Sequence, residues 1–295
     1  MSCAVFGFAA DATASRRLAR ALGIPHRPVS VRHFPDGESL VQVEHSPAIA
    51  LLYCSLDRPN EKLVELLLAA SALRDNGAAK VILIAPYLAY MRQDSAFHAG
   101  EAVSQRIIGR LLAEHFDALL TIDPHLHRTH SLEAVMPDIE AVAISAAPLL
   151  VAEIDKGGDP LLVGPDGEAR QWVERIADRV GLEFVLGRKQ RGGDRHVEIE
   201  IPDAERAEGR NVVIVDDLIS SGGTLLAVAR QLRAAGAHDI KALATHCLAA
   251  QADLDQLREA GISSVRATDS VAGPVALLPI ADLLAQEIRQ RRWCP

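Results

Sequence analysis

The chain alternates apolar runs of strand length with segments of helical period, and the whole alternation occurs twice. The first series of runs is "CAVFGF" at 3–8, "IALLYC" at 49–54, "KVILIA" at 80–85 and "ALLTI" at 118–122. The second is "LLVG" at 161–164, "EFVL" at 183–186, "NVVIV" at 211–215 and "IKALAT" at 240–245. Between them, Leu63, Leu66, Leu67 and Ala70 share one helical face, as do Leu225, Val228, Ala229 and Leu232, with Gly236 as a natural stop. Strands that are apolar throughout need cover on both faces, and helices in alternation supply it, so parallel sheets are expected. The fold class is α/β: two similar doubly wound domains over 1–146 and 147–295, with a helix at 280–290 that packs back. A chain of 295 residues is long enough for both.

Charge narrows the partners. Lys plus Arg number 31 against 39 Asp plus Glu, a formal charge of −8, and mean hydropathy is +0.11. That balance argues against nucleic acid or a membrane surface, both of which need a basic footprint. No apolar stretch reaches membrane-spanning length. The start "MSCAVFGFAADATASRR" lacks the basic-then-apolar pattern of a secretory signal, so a cytoplasmic protein is expected. Cys3, Cys54, Cys247 and Cys294 are scattered with no CxxC, which reads as cytosolic thiols rather than disulfides or a zinc site.

The stretch "VVIVDDLISSGGTL" at 212–225 carries the most chemistry. A buried strand runs into a loop at its carboxyl end, where open α/β sheets bind ligands. Gly222 and Gly223 let the backbone approach a ligand closely. Ser220, Ser221 and Thr224 add hydroxyl donors, and the following helix adds free N–H groups. No lysine precedes the hydroxyl residue as in a Walker loop, which suits a phosphate monoester. Asp216 and Asp217 stand beside that phosphate, where carboxylates accept hydrogen bonds from vicinal sugar hydroxyls or hold Mg²⁺. The competing reading is a plain turn with Asp and Ser as helix caps.

This loop resembles the phosphoribosyl-pyrophosphate loop of the type I phosphoribosyltransferase fold. "FPDGES" (34–39), "YMRQDSAFHAGEAVS" (90–104), "TIDPHLH" (121–127), "GPDGEA" (164–169) and "RKQR" (188–191) resemble, in order, the motifs of the ribose-phosphate pyrophosphokinase family, across nearly the whole chain. The resemblance implies Mg²⁺-dependent transfer of the β,γ-diphosphoryl group of ATP to the anomeric hydroxyl of ribose 5-phosphate. Asp216, Asp217 and Ser220–Thr224, with Gly222 and Gly223 among them, would then bind ribose 5-phosphate.

The other motifs also have readings of their own. "FPDGES" has turn chemistry at Pro35-Asp36-Gly37 before the strand-like "ESLVQV", so it reads as a hairpin tip. The resemblance adds that Phe34 stacks on adenine while Asp36 and Glu38 contact the nucleotide, joined by Arg92 and Gln93. Alone, His125, His127 and His130 are either surface histidines or a zinc site. The resemblance makes His125, with Asp166, a ligand of the Mg²⁺ carried by ATP. "GRKQRGG" (187–193) reads as a mobile surface loop, and the resemblance has its Lys189 and Arg191 close over the transferring phosphates.

Two departures stand out. Glu168 and Ala169 occupy positions where the family has glycines, and Ser220 stands where an acid is frequent. An exposed aromatic at a hairpin tip needs a partner surface. The resemblance implies a neighbouring subunit, hence a homodimer at least, with a hexamer as the larger alternative. Two rivals are a phosphoribosyltransferase, which leaves the N-terminal motifs unexplained, and a catalytically silent regulatory homologue, against which Lys189 and Arg191 argue.

Overall fold

The structure is a computed structural model that describes residues 2–96, 98–126, 131–192 and 196–294, with only the backbone described for 189–192 and 196–198. The chain forms two compact units, Met1–Ser145 together with Pro279–Pro295, and Ala146–Leu278.

In unit 1 the elements run β1 (Cys3–Gly7), α1 (Ala12–Leu22), β2 (His26–Pro28), β3 (Ser30–His33), β4 (Ser39–Gln42), β5 (Ile49–Tyr53), α2 (Pro59–Asp75), β6 (Lys80–Ile84), α3 (Ser104–His115), β7 (Ala118–Ile122) and β8 (Glu140–Ile144). The central sheet has the order β2-β1-β5-β6-β7-β8, and every pairing is parallel. Strands β1, β5 and β7 are buried at each position, as continuous apolar runs require. Helix α2 buries Leu63, Leu66 and Ala70, leaving Leu67 half-buried. Strands β3 and β4 form the antiparallel hairpin expected around "FPDGES".

Unit 2 repeats the plan. It runs α4 (Ala147–Ala152), β9 (Leu161–Gly164), α5 (Arg170–Val180), β10 (Phe184–Leu186), β11 (Arg188–Gly192), β12 (His196–Glu200), β13 (Asn211–Ile219), α6 (Gly223–Ala234), β14 (Asp239–Cys247), α7 (Gln251–Glu259), β15 (Ile262–Thr268) and β16 (Ala276–Leu278). Its sheet order is β10-β9-β13-β14-β15-β16. In each unit the order reverses beside the first strand, between β1 and β5 and between β9 and β13, and such switch points are where open α/β sheets bind ligands.

Three expectations need correction. Strand β13 continues to Ile219 rather than ending at Val215, because β14 is equally long and pairs with it as far as Ile219 opposite Cys247. Asp216 and Asp217 therefore lie in a strand, not a loop. The second domain, expected to reach residue 295, ends at Leu278. Helix α8 (Ala281–Gln290) joins unit 1, where it packs on α1 with Leu284, Ala285 and Ile288 buried. The four cysteines are not all free. The segment after α8 returns to β1, and Cys3 is disulfide-bonded to Cys294, with Cα atoms 5.9 Å apart across a sequence separation of 291. Cys54 and Cys247 are free and buried. Among the described residues, no helix is long and apolar enough to cross a membrane.

Candidate active site

The switch point of unit 2 is flanked by the turn after β9 and the loop after β13. Asp166 in that turn is 7% exposed, and its Oδ1 accepts hydrogen bonds from the N–H groups of Glu168 (2.8 Å) and Ala169 (3.3 Å). The turn closes with both departures in place: Ala169 is buried at the start of α5, and Glu168 faces outward.

On β13, Asp217 is buried and Asp216 partly so, and the N–H of Asp217 donates to Asp216 Oδ1 at 3.0 Å. Burial, then the like charges of Asp217 and Asp166, hold the Asp216 carboxyl well above the usual carboxylate range. Carboxylates crowded in this way favour a hard cation or hydroxyl donors between them.

The loop that follows exposes Ser220, Ser221 and Gly223 and leaves Thr224 half-buried. Gly222 is the residue before α6 and has φ +76°, and a Cβ there would meet the Leu257 side chain at 3.2 Å. No side chain caps α6, so the capping reading of these residues is set aside. The N–H groups of the first turn remain available to an anion.

Lys189 and Arg191 were expected in a mobile loop, but they lie in β11, which pairs antiparallel with β12. The pairing sets Lys189 opposite Ile199 and Arg191 opposite Val197, and the β-branched partners explain why the segment takes strand form. The hairpin starts from Gly187, whose N–H donates to the Gly164 carbonyl at 2.8 Å. A Cβ on Gly187 would sit 2.1 Å from the Pro165 carbonyl oxygen, so only glycine fits. Ile199 and Ile201 are buried in the core of unit 2, which roots the hairpin.

In unit 1, the Phe34–Glu38 tip is closed by hydrogen bonds from the Phe34 N–H to the Glu38 carbonyl (2.8 Å) and from the Gly37 N–H to the Phe34 carbonyl (2.9 Å). Asp36 Oδ1 accepts from the Glu38 N–H at 3.2 Å. The tip thus brings Phe34, Asp36 and Glu38 together, and Phe34 is 43% exposed. The stem is fastened to α2 through Glu65, which pairs with His33 (3.0 Å) and accepts from Ser39 (3.2 Å). Arg92 and Gln93 sit on a different segment, tied to the start of α3: Gln105 donates through Nε2 to the Met91 carbonyl (3.2 Å) and through its N–H to the Gln93 carbonyl (3.3 Å). Arg92 is exposed and Gln93 half-buried. His125 follows β7 and is half-buried, while His127 and His130 lie outside the described residues. No cluster of three or more His, Cys, Asp or Glu placed to hold a metal occurs among the described residues.

Sequence reasoning passed over Gln105 and Gln231, because a glutamine carries no motif of its own. It also passed over a buried network at the carboxyl ends of β14 and β15. There His246 Nδ1 meets Ser270 Oγ at 2.8 Å, and the Thr268 hydroxyl donates to the Thr245 carbonyl at 2.6 Å.

Two parallel sheets with one strand order, and an acid-flanked hydroxyl–glycine loop at the second switch point, define a phosphoribosyltransferase-type α/β protein built twice in one chain. Family models divide it the same way: residues 3–115 match the N-terminal domain of ribose phosphate pyrophosphokinase and residues 136–275 a phosphoribosyl transferase domain. The ribose-phosphate pyrophosphokinase of Methanopyrus kandleri is 38% identical over 280 residues, covering 92% of this chain and 94% of that protein. That of Methanothermobacter thermautotrophicus is 32% identical over 288 residues, covering 97% and 99%. The crystal structure of phosphoribosylpyrophosphate synthetase from Mycobacterium smegmatis superposes with a TM-score of 0.84 at 25% identity, covering 99% of each chain. This chain belongs to the ribose-phosphate pyrophosphokinase family.

Proposed function

We propose that this chain is a ribose-phosphate pyrophosphokinase, moving the diphosphoryl group of ATP to the C1 hydroxyl of ribose 5-phosphate and leaving AMP. The observation that carries the reading is the open, uncapped loop Ser220–Thr224 beside the crowded carboxylates of β13, at the switch point of unit 2. The 5-phosphate takes the N–H groups and hydroxyls of that loop. Asp216 and Asp217 accept the sugar hydroxyls.

Phe34, Asp36, Glu38, Arg92 and Gln93 bind ATP: an exposed aromatic face offers stacking for a base, and Arg92 is an exposed guanidinium suited to phosphate. Lys189 and Arg191 neutralise the charge that develops on the transferring group, since phosphoryl transfer is mostly positioning and charge stabilisation. Oxygen donors crowded around Asp216 fit Mg²⁺ better than a softer metal, and Asp166 would hold it, with His125 given the same role by the family resemblance. Mg²⁺ bound there would offset phosphate charge.

The exposed Phe34 supports a symmetric dimer at least, in which the tip serves a neighbouring copy. Purified protein supplied with ATP, ribose 5-phosphate and Mg²⁺ should form AMP and phosphoribosyl pyrophosphate in equal amounts. No AMP above the level without ribose 5-phosphate would sink this reading in favour of a silent homologue.

A further inference from the structure

Gln231 lies on α6, the helix whose first turn closes the Ser220–Thr224 loop. Its side-chain amide reaches β12, the second strand of the hairpin that carries Lys189 and Arg191. Gln231 Oε1 accepts from the Ile201 N–H at 3.0 Å, and Gln231 Nε2 donates to the Ile199 carbonyl. One amide therefore takes the place of one residue of a neighbouring strand, on an edge that has no such neighbour among the described residues. Ile199 is the residue paired across the hairpin with Lys189. The Gln231 side chain and the backbone pairing of Ile199 with Lys189 thus link the helix behind the phosphate loop to the strand that carries Lys189.

We propose that Gln231 is a positioning residue for the transfer step: it fixes the register of the Lys189 hairpin against the helix that carries the ribose-phosphate loop. This rests on the reading of Lys189 given above. The Gln231 amide is taken up by the Ile199 and Ile201 backbone, so its loss acts through where the hairpin of Lys189 is held. Catalysis of this type depends steeply on placement, and a displacement of about 1 Å costs up to roughly a hundredfold.

Gln231→Leu removes both bonds at similar volume. It should lower kcat about tenfold and leave KM for ATP and for ribose 5-phosphate within about twofold. In a Lys189→Ala background the same change should have almost no further effect, because the group it positions is gone. A merely structural role would lower activity equally in both backgrounds. Gln231→Glu keeps the acceptor for Ile201 and loses the donor to Ile199, so its kcat should fall clearly below that of the unaltered enzyme. It also covers the case in which the leucine variant fails to fold. If Lys189→Ala is slow but both Gln231 variants turn over normally, the tether has no role. If Lys189→Ala itself turns over normally, the reading of Lys189 falls and the tether falls with it. Additive losses from Gln231→Leu and Lys189→Ala would overturn the tether alone.

Discussion

At the switch point of unit 2, the helix after the central strand is preceded by Gly222, left-handed with φ +76°. At the switch point of unit 1 the corresponding residue is Arg58, also left-handed with φ +51°. The backbone makes the same turn twice, yet the surroundings differ. In unit 1, Pro59 opens α2 and removes one of the N–H groups an anion would use. The Lys62 ammonium donates to the Ser55 carbonyl (2.8 Å) and pairs with Asp57 (2.6 Å). Asp11, 5% exposed, accepts from the Ser55 N–H at 3.1 Å. Neither helix start carries a side-chain cap, but unit 1 has filled its switch point with its own charges, whereas unit 2 keeps its first-turn N–H groups beside crowded carboxylates. A doubly wound sheet fixes where a ligand can sit. Whether one does depends on the N–H groups left open and on whether an ammonium already occupies the place.

The comparison predicts that substitutions in unit 2 hit chemistry and equivalent ones in unit 1 hit stability. The largest effect should come from Lys189→Ala, with kcat down about a hundredfold or more and little change in ATP affinity. Steady-state kinetics decide it, and near-normal turnover would remove Lys189 from the mechanism. Next, Asp217→Ala should weaken ribose 5-phosphate binding by at least about tenfold, the scale of one hydrogen bond to a charged group, and spare ATP. Calorimetric titration with ribose 5-phosphate is the check, and unaltered affinity would mean that the sugar is not held at this switch point.

If unit 1 does not bind through its switch point, its contribution must come from elsewhere, and the exposed Phe34 tip is the candidate. Phe34→Ala and Lys189→Ala should each be nearly inactive alone. When the two are mixed and allowed to exchange subunits, half the dimers are mixed and each has one intact site if Phe34 serves its neighbour. About a quarter of the sites should therefore recover. Exchange shown by native mass spectrometry with no recovered activity would return the tip to its own subunit.

Much of this contrast was legible in the residues. The repeated strand and helix pattern located both sheets, and Gly222 and Gly223 marked the open loop. The closed switch point was not legible, because Asp11 and Lys62 are 51 positions apart and are brought together at the Ser55 backbone. Distance along the chain also hid the Cys3–Cys294 bond and the return of α8 to α1. The strand form of Lys189 and Arg191 was obscured by flanking glycines, although the alternating "HVEIEI" at 196–201 offered a partner.

Burial, partly offset by Lys62, raises the Asp11 carboxyl from 3.8 to about 6. An acid whose folded pKa is raised gives stability that is full below about 3.8 and is lost as pH rises through about 6. Asp11→Asn cannot ionise, so it keeps that stability at neutral pH. It should gain up to roughly 3 kcal/mol over the unaltered protein at pH 7, the ceiling set by a shift that already includes the attraction of Lys62. The gain should shrink toward zero as pH falls from 6 to 4. Thermal unfolding at both ends of that range tests it, and an equal effect at both would show that Asp11 does not titrate there.

The smallest effect isolates the turn itself. Arg58 is exposed, and its positive φ costs a non-glycine residue about 1–2 kcal/mol. A cation at the start of a helix also opposes the helix dipole, by a few tenths of a kcal/mol where exposed. Arg58→Gly removes both penalties and returns about 0.5–1 kcal/mol in unfolded-chain entropy, so a net gain of about 0.5–1 kcal/mol is expected. Arg58→Ala removes the charge and keeps the backbone cost, so it should gain less. Gly222→Ala reverses the comparison: it imposes the same backbone cost and brings a Cβ within 3.2 Å of Leu257, so it should lower both the melting temperature and ribose 5-phosphate affinity. Differential scanning calorimetry of the three variants separates these cases. If Arg58→Gly melts below Arg58→Ala, the left-handed turn of unit 1 carries no strain, and the two switch points differ in more than what fills them.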